Sequence, residues 1–585
     1  MRNSRNRWIR TAVLVGVSSI SGVSAFATDN VWTGAQDNNW NNPNNWSLGR
    51  VPVNPNGQVA PADTFDDAVV NTNTGNIATI TADIPVPRDI ILGSGAGTNG
   101  QLNQTAGLAV TGEGNWFYVG RDAGTATYNL TGSGSLDVGR GNNPASTGGR
   151  LYVGGTEFGA GGATGTFNVN TTGTINVRND LNVGTDGSTG VMTVDAGTIT
   201  TGGWNFIGKH QNAGGANGTL TMNGGVVNNG GRTYVAHNGG TTGVMNLQGG
   251  SYNNGDNFII GEAAGSSGTV NVTSAASTLS IGNELWVGQA AGGNGAMTVS
   301  AGSVTTNNWI AVGREGATGV LTVNGTGSVT KNGGGNITIG TGANGHGTVN
   351  VSSGGSLTNN GDMILGENDP TSVGIVNQSG GTVHVTGTLD VQRTGVGTYN
   401  LSGGTLSVDT NIDTAAGTLA FTGGKITRNG AGAITVTGDL TTGGQGATLG
   451  LDNGKTLAVS GTLNVAAGSG FDLTGDTIPA GGAAVTTGSI ALGTDGGIVG
   501  TFGPGLTTIT GLNNAAGATF ISETQGESSA FNSNTQSVFW IQEASGALSL
   551  QYSLAPVPEP TSLGLIGLST GMFFLRRRRK VEAAG

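Results

Sequence analysis

A short extended run closed by glycine returns along this chain at nearly constant distance. It reads Tyr118-Val119-Gly120, Tyr152-Val153-Gly154, Leu181-Asn182-Val183-Gly184 and Phe206-Ile207-Gly208, then Ile259-Ile260-Gly261, Trp286-Val287-Gly288, Ala311-Val312-Gly313, Ile339-Gly340 and Leu365-Gly366. Tyr234-Val235-Ala236 fills the one gap, and from Gly184 onward the closing positions are spaced 24, 28, 25, 27, 25, 27 and 26 residues apart. A period near 26 residues means one supersecondary unit written many times. Such a unit cannot bury an apolar face alone and has to stack on its copies.

Each unit carries two more phased runs. One follows a glycine and alternates, as in Gly268-Thr269-Val270-Asn271-Val272 and Gly347-Thr348-Val349-Asn350-Val351; a third follows shortly after, as in Gly249-Gly250-Ser251-Tyr252 and Gly354-Gly355-Ser356-Leu357. Every run is short, alternates apolar residues with Thr or Asn, and is bracketed by Gly, while no 3.6-residue pattern occurs in the interior. Glycine reaches 113 of 585 residues, but it lacks the third-residue period and the proline of collagen. Between Pro144 and Pro479 only Pro370 interrupts, which suits strands hydrogen-bonded on both sides. Three strands per coil predict an all-β chain, a β-solenoid of the right-handed parallel β-helix type, with each strand paired to its equivalent one coil away at about 4.8 Å. Apolar residues then point inward, Thr and Asn face water, and Gly takes corners that need positive φ. An Asn column at Asn228-Asn229-Gly230, Asn253-Asn254-Gly255, Asn307-Asn308, Asn332-Gly333 and Asn359-Asn360-Gly361 predicts side chains bonded to one another along the axis. About 15 coils would make a rod on the order of 70 Å.

The repeats span residues 65–480 and are clearest over 115–408. A rod needs capped ends. Residues 28–64 are rich in Trp and Asn and read as an N-terminal cap burying Trp32 and Trp46, with a sugar-binding platform as the alternative. Residues 481–555 lose the period and read as a C-terminal β cap or small module. The two ends of the chain read as addresses. Arg2, Arg5, Arg7 and Arg10 precede the apolar stretch 12–17, and Ala25-Phe26-Ala27 supplies small residues, so residues 1–27 form a secretory signal peptide cut after Ala27, the alternative being an uncleaved anchor. At the other end Pro558-Glu559-Pro560 precedes the uncharged stretch 561–575 and then Arg576, Arg577, Arg578, Arg579 and Lys580. Fifteen residues fall short of the roughly 20 that a relaxed membrane-spanning helix needs, yet a short apolar helix can cross a thinned bilayer with its Arg side chains at the headgroups.

That order of parts at residues 556–580 resembles the PEP-CTERM sorting signal of bacterial envelope proteins. The resemblance implies that an exosortase-like processing enzyme cuts near Pro558, Glu559 and Pro560, that the stretch 561–575 sits in the membrane before processing, and that the Arg cluster marks the cytoplasmic side. A plain tail anchor is the alternative. The Trp/Asn-rich start and the repeats resemble the passenger β-helices of autotransporter-associated repeat proteins, although no run of ten-residue barrel strands follows the rod.

Little in the interior looks like chemistry. Net charge is −11, and nine of the 23 cations sit in the two terminal runs, so no basic stripe remains for nucleic acid. The chain has no cysteine, which removes thiolate metal sites and thiol nucleophiles. Of the acids only Glu262 and Glu367 share a column, directly after the corner glycine. They lie four coils apart with Gln289, Arg314 and Thr341 between them, and Lys209 and His237 stand ahead of them in the column. That is too far for a glycosidase pair, and so mixed a column reads as a solvated corner. His210, His237, His346 and His384 share no metal-binding spacing, and Asp186, Asp256 and Asp362 do not recur in a calcium-repeat frame. No catalytic residue, metal or cofactor is assigned. The triplets at Asn129, Asn271, Asn350 and Asn400 read as chance sequons inside strands. The expectation is an exported, non-catalytic structural or adhesive rod of the cell surface or extracellular matrix, with polysaccharide or neighbouring surface proteins as partners. The rival readings are a polysaccharide lyase or glycosidase on the same scaffold and an amyloid-like assembly.

Overall fold

The computed structural model describes residues 28–53 and 66–449, apart from positions 158, 160, 213 and 431, together with seven backbone strands between 455 and 553. The leader with Ala25 and Ala27 and the apolar stretch 561–575 lie outside the described residues. Among the described residues the one helical piece is a 3-10 turn at Pro43–Asn45, and no helix is long and apolar enough to cross a membrane.

Alternation and glycine corners produce the expected coil. One coil runs Thr233–His237, Thr242–Leu247 and Ser251–Asn254; the next runs Phe258–Ile260, Ser267–Val272 and Thr278–Ile281. First, second and third strands build three parallel sheets, called A, B and C below. In sheet A, Val235 lies beside Ile260, Ile260 beside Val287 and Val287 beside Val312. Sheet B stacks Met245, Val270, Met297 and Leu321 in the same way, and sheet C stacks Tyr252, Leu279, Val304 and Val329. These columns meet in a single buried core that runs from Trp32 to Leu457. Some 14 coils, at about 4.8 Å each, make a β-solenoid on the order of 65 Å long.

The two glycines of each unit have separate reasons. Gly261 closes its sheet A strand at φ 67°, and a Cβ there would lie 2.1 Å from the Asn294 carbonyl oxygen of the next coil. Gly268, which opens the sheet B strand, has ordinary φ, but a Cβ on it would lie 2.3 Å from Val235 O and 2.5 Å from Gly261 N. The A-to-B corner is thus a place where backbones touch with no room for a side chain. Ala236 takes φ 65° at this corner, where the neighbouring coils have Gly208 and Gly261. Between sheets B and C the bend is so tight in several coils that the two strands run on as one, as in Thr164–Val177, Thr189–Thr201, Val373–Val385 and Val396–Val408, with a register shift at the bend.

At the N-terminal end, Thr28–Val31 pairs in parallel with Asp66–Val70. Trp32, Trp40 and Trp46 are buried against one another, with ring centroids 5.1 Å apart for Trp32–Trp46 and 4.7 Å for Trp40–Trp46. Two of the three indole donors are used, Trp46 Nε1 donating to Trp40 O at 2.8 Å and Trp32 Nε1 to Asn76 O at 2.9 Å, while Trp40 Nε1 is buried without a partner. Arg50 reaches across to the buried carboxylate of Asp66 at 2.6 Å. Toward the other end parallel pairing crosses residue 480, since Leu457 lies beside Val485 and Val485 beside Ile509. Antiparallel strands Ser537–Gln542 and Leu548–Ser553 then join Gly496–Gly500.

Candidate functional site: an aromatic and charged face of the rod

The middle residue of each sheet A strand points away from the core, because its two neighbours point in. In register along the axis these residues are Tyr118, Tyr152, Asn182, Phe206, Tyr234, Ile259 and Trp286. Several of them form two apolar clusters separate from the main core, one around Tyr118 and Tyr152 and one around Phe206 and Tyr234. In-register pairing puts rings on top of rings. Tyr118 and Tyr152 stack at 5.3 Å and 11°, and Phe206 and Tyr234 at 5.3 Å and 8°. Burial pushes the phenols of Tyr118 and Tyr152 well above their ordinary pKa and raises that of Tyr234.

Two flanking columns finish this face. Just ahead of each strand stand Trp116, Arg150, Trp204, Arg232 and Trp309; just after each corner glycine stand Arg121, Lys209, His237, Glu262 and Arg314. Their cations lie over the rings: Arg121 over Tyr118 at 5.0 Å, Lys209 over Phe206 at 4.1 Å, Arg232 over Trp204 at 5.7 Å, and Arg314 over Trp286 at 4.9 Å. Each of these cations also has an acid. Arg121 pairs with Asp122 at 2.7 Å, Arg232 with Asp256 at 3.1 Å and Arg314 with Glu315 at 2.5 Å; Lys209 meets the buried carboxylate of Glu157, which also takes Arg150 at 2.7 Å.

The corner column is therefore less solvated than the mixture of residue types suggests. Thr185 and Lys209 are buried, and the side chains of His237 and Glu262 keep only 17% exposure each, 3.3 Å apart at Nε2 and Oε2. The rings of Phe206 and Tyr234 pack edge-on to His237 at 5.1 and 4.9 Å and exclude water from it. Burial, reinforced by the Lys209 charge, depresses the His237 pKa to about 4, and burial raises that of Glu262. Glu367, four coils on, is tied instead to Arg393 at 3.2 Å, so Glu262 and Glu367 are not brought together. The other histidines lie apart: His210 and His346 contact nearby carbonyls and His384 meets Asp409 at 2.9 Å. Among the described residues no three potential metal ligands converge. Asp186 and Asp362 accept backbone N–H groups from the next coil, namely Gln211 and Thr388, and Asp256 is the Arg232 partner.

Sheets B and C present a different surface. One outward column of sheet B runs Asn103, Asn129, Asn168, Thr193, Thr221, Asn246, Asn271, Thr298, Thr322, Asn350, Asn377 and Asn400 without a charge. Neighbouring Asn side chains bond along the axis: Asn129 donates to Asn103 at 2.9 Å, Asn271 to Asn246 at 2.9 Å and Asn400 to Asn377 at 2.8 Å. The triplets that read as chance sequons are thus ladder positions. On sheet C the first two members of the predicted Asn column form two such ladders, Asn253 to Asn228 outside at 2.9 Å and Asn229 to Asn254 inside at 2.8 Å; Ile281, Thr306 and Lys331 then take the inner position, and Asn307, Asn308 and Asn332 fall beyond it instead of continuing the column. A shallow groove of about 530 Å³ lies over this polar strip, between Thr200 and Asn307.

The remaining predicted site residues, Pro558, Glu559, Pro560 and Arg576, Arg577, Arg578 and Arg579, lie outside the described residues. Their sequence settles what they are. A PEP-CTERM protein-sorting motif matches residues 556–580. The chain thus carries the substrate signal for exosortase-type processing and is an exported protein sorted to the cell envelope or surface. No curated protein matches the chain. The resemblance of the repeats to autotransporter-associated passengers gains no support from these comparisons.

Proposed function

We propose that this chain is a non-catalytic structural and adhesive rod of the cell surface or extracellular matrix. Its leader is removed after Ala27, and an exosortase-type enzyme processes it around Pro558, Glu559 and Pro560. The observation that carries this reading is the joining of a sorting motif to a solenoid whose sheet B face repeats Asn and Thr coil after coil. Such faces favour many weak, equivalent contacts, whose avidity grows with the number engaged at once. The acids of the aromatic face support the same view, because they neutralise adjacent cations instead of converging on a cavity. Polysaccharide and neighbouring surface proteins are the partners proposed.

Two measurements test the proposal. The mass of the mature C-terminus from fractionated cells should correspond to a chain shortened near Pro558; a chain that keeps residues 561–580 on the surface would refute the processing step. Incubation of the mature protein with a polysaccharide panel should give binding and no new reducing ends or unsaturated sugars. Release of either would replace the adhesive rod with a glycosidase or lyase.

A further inference from the structure

Among the described residues only three large hydrophobic side chains are exposed, Leu48, Trp204 and Val396, and Trp204, at 42%, is the one with a surface built around it. Its ring rests against Phe206 and Tyr234 at centroid distances of 6.0 and 5.8 Å, and the Arg232 guanidinium lies 5.7 Å away. Trp309 occupies the same column four coils later, about 19 Å along the axis, and the half-buried Trp286 stands beside it on the next column. Both are fixed by their indole donors: Trp309 Nε1 donates to Thr338 Oγ1 at 2.7 Å and Trp286 Nε1 to Glu284 at 2.9 Å. These are rigid, partly wet aromatic plates on an in-register sheet. Their conformational entropy is already lost before anything binds.

Resting on the adhesive reading above, we propose that this face binds a neutral, extended polysaccharide whose hexose rings lie on Trp204, Trp286 and Trp309. Charge decides against a polyanion. The cations between the plates, Arg232 and Arg314, are each held by their own acid, Asp256 and Glu315, so no cationic surplus is left to attract carboxylates or sulfates. Geometry decides for an extended chain. Equatorially linked hexoses advance by close to one coil spacing per ring, so a single strand laid along the axis meets a plate at both ends of the four-coil interval. The C–H faces of the rings then cover the indoles, while the half-buried Arg232 and Glu284, on intervening coils of that column, offer hydrogen bonds to the hydroxyls.

The test uses the mature full chain with soluble β-1,4-glucan and galactomannan as neutral probes and alginate as the anionic one, read by affinity electrophoresis and tryptophan fluorescence. The expected result is retardation by the neutral probes alone, weakened about tenfold by W204A or by W309A and abolished by the double variant. An unchanged thermal transition in W204A confirms intact folding, since the side chain is exposed. Binding of alginate in place of the neutral probes overturns the inference, as does wild-type affinity in the double variant. If N253A, in the sheet C groove, abolishes binding while W204A does not, the rod remains adhesive and the inference about this face fails. A W204A-sensitive self-association seen by sedimentation, with no glycan bound, assigns the plates to a second copy and likewise overturns it. Failure of the adhesive reading itself would be read separately, as sugar release in the reducing-end assay.

Discussion

Substituting Gly295 by alanine is the sharpest test of why glycine fills this chain. Gly295 opens a sheet B strand and its backbone conformation is open to any residue, so only space forbids a side chain. A Cβ there would sit 2.3 Å from both Gly288 N and Ile260 O, and those two atoms are themselves hydrogen-bonded across the coil interface at 2.8 Å. The methyl would therefore wedge into an inter-coil bond, and about 1 Å of separation is needed to restore contact distance. Overpacking of this kind costs about 1–3 kcal/mol and a weakened buried hydrogen bond about 1 kcal/mol more, giving an expected loss of about 2–4 kcal/mol. Because a solenoid's stability is local and nearest-neighbour, the loss should appear as early opening of residues 261–299 by hydrogen exchange during urea titration, with coils further away little affected. Gly334 is the control: no atom lies within 4 Å of a Cβ built on it and its φ is not positive, so Gly334→Ala should be neutral or stabilising by about 0.4–1 kcal/mol. Equal stability of G295A and wild type, or an equal cost for both variants, would refute the steric account of the corner.

Three further outcomes are expected. Ala236→Gly, at a corner position where a side chain endures positive φ, should raise the melting temperature, with a gain of about 0.5–1 kcal/mol. Lys331 is fully buried in the inner column of sheet C and donates to the carbonyls of Gly333, Gly334 and Gly335 at 2.6, 3.1 and 2.7 Å; Lys331→Met should cost about 2–3 kcal/mol and deprotect that loop in hydrogen exchange. His237 has its pKa depressed to about 4 from an ordinary 6.5, so the folded state binds fewer protons than the unfolded one in that window and stability falls as pH drops from 6.5 to about 4. The raised pKa of Glu262 opposes it, leaving a net loss of about 1–3 kcal/mol that His237→Gln should flatten in urea melts at stepped pH.

The coil was legible because its causes are local and periodic. Val235, Ile260 and Val287 recur in phase, and the closing glycine marks each corner. Faces were harder to read. Tyr118, Tyr152 and Phe206 sit within runs that read as core, and only the in-register pairing shows that the middle residue points outward and stacks on its counterpart. A count of the Asn and Thr positions one period apart would have found the sheet B ladder, since Asn246, Asn271, Asn350 and Asn377 all follow their strand-opening glycine by three residues. The burial of the corner column had no such signal. Lys209 is neutralised by Glu157, 52 residues earlier, from a loop that belongs to no period. The sorting segment was legible throughout, because a processing enzyme reads it as linear sequence.

Every strand of this rod lies across its long axis, and that sets how it answers mechanical load. A pull between the two ends acts on the inter-coil hydrogen bonds one rung at a time, so the rungs yield singly, in the manner of a zipper. Each coil of about 26 residues that peels away releases roughly 90 Å of chain in exchange for about 5 Å of rod. A rod with this mechanics lengthens in steps under tension and can rewind when the strain passes.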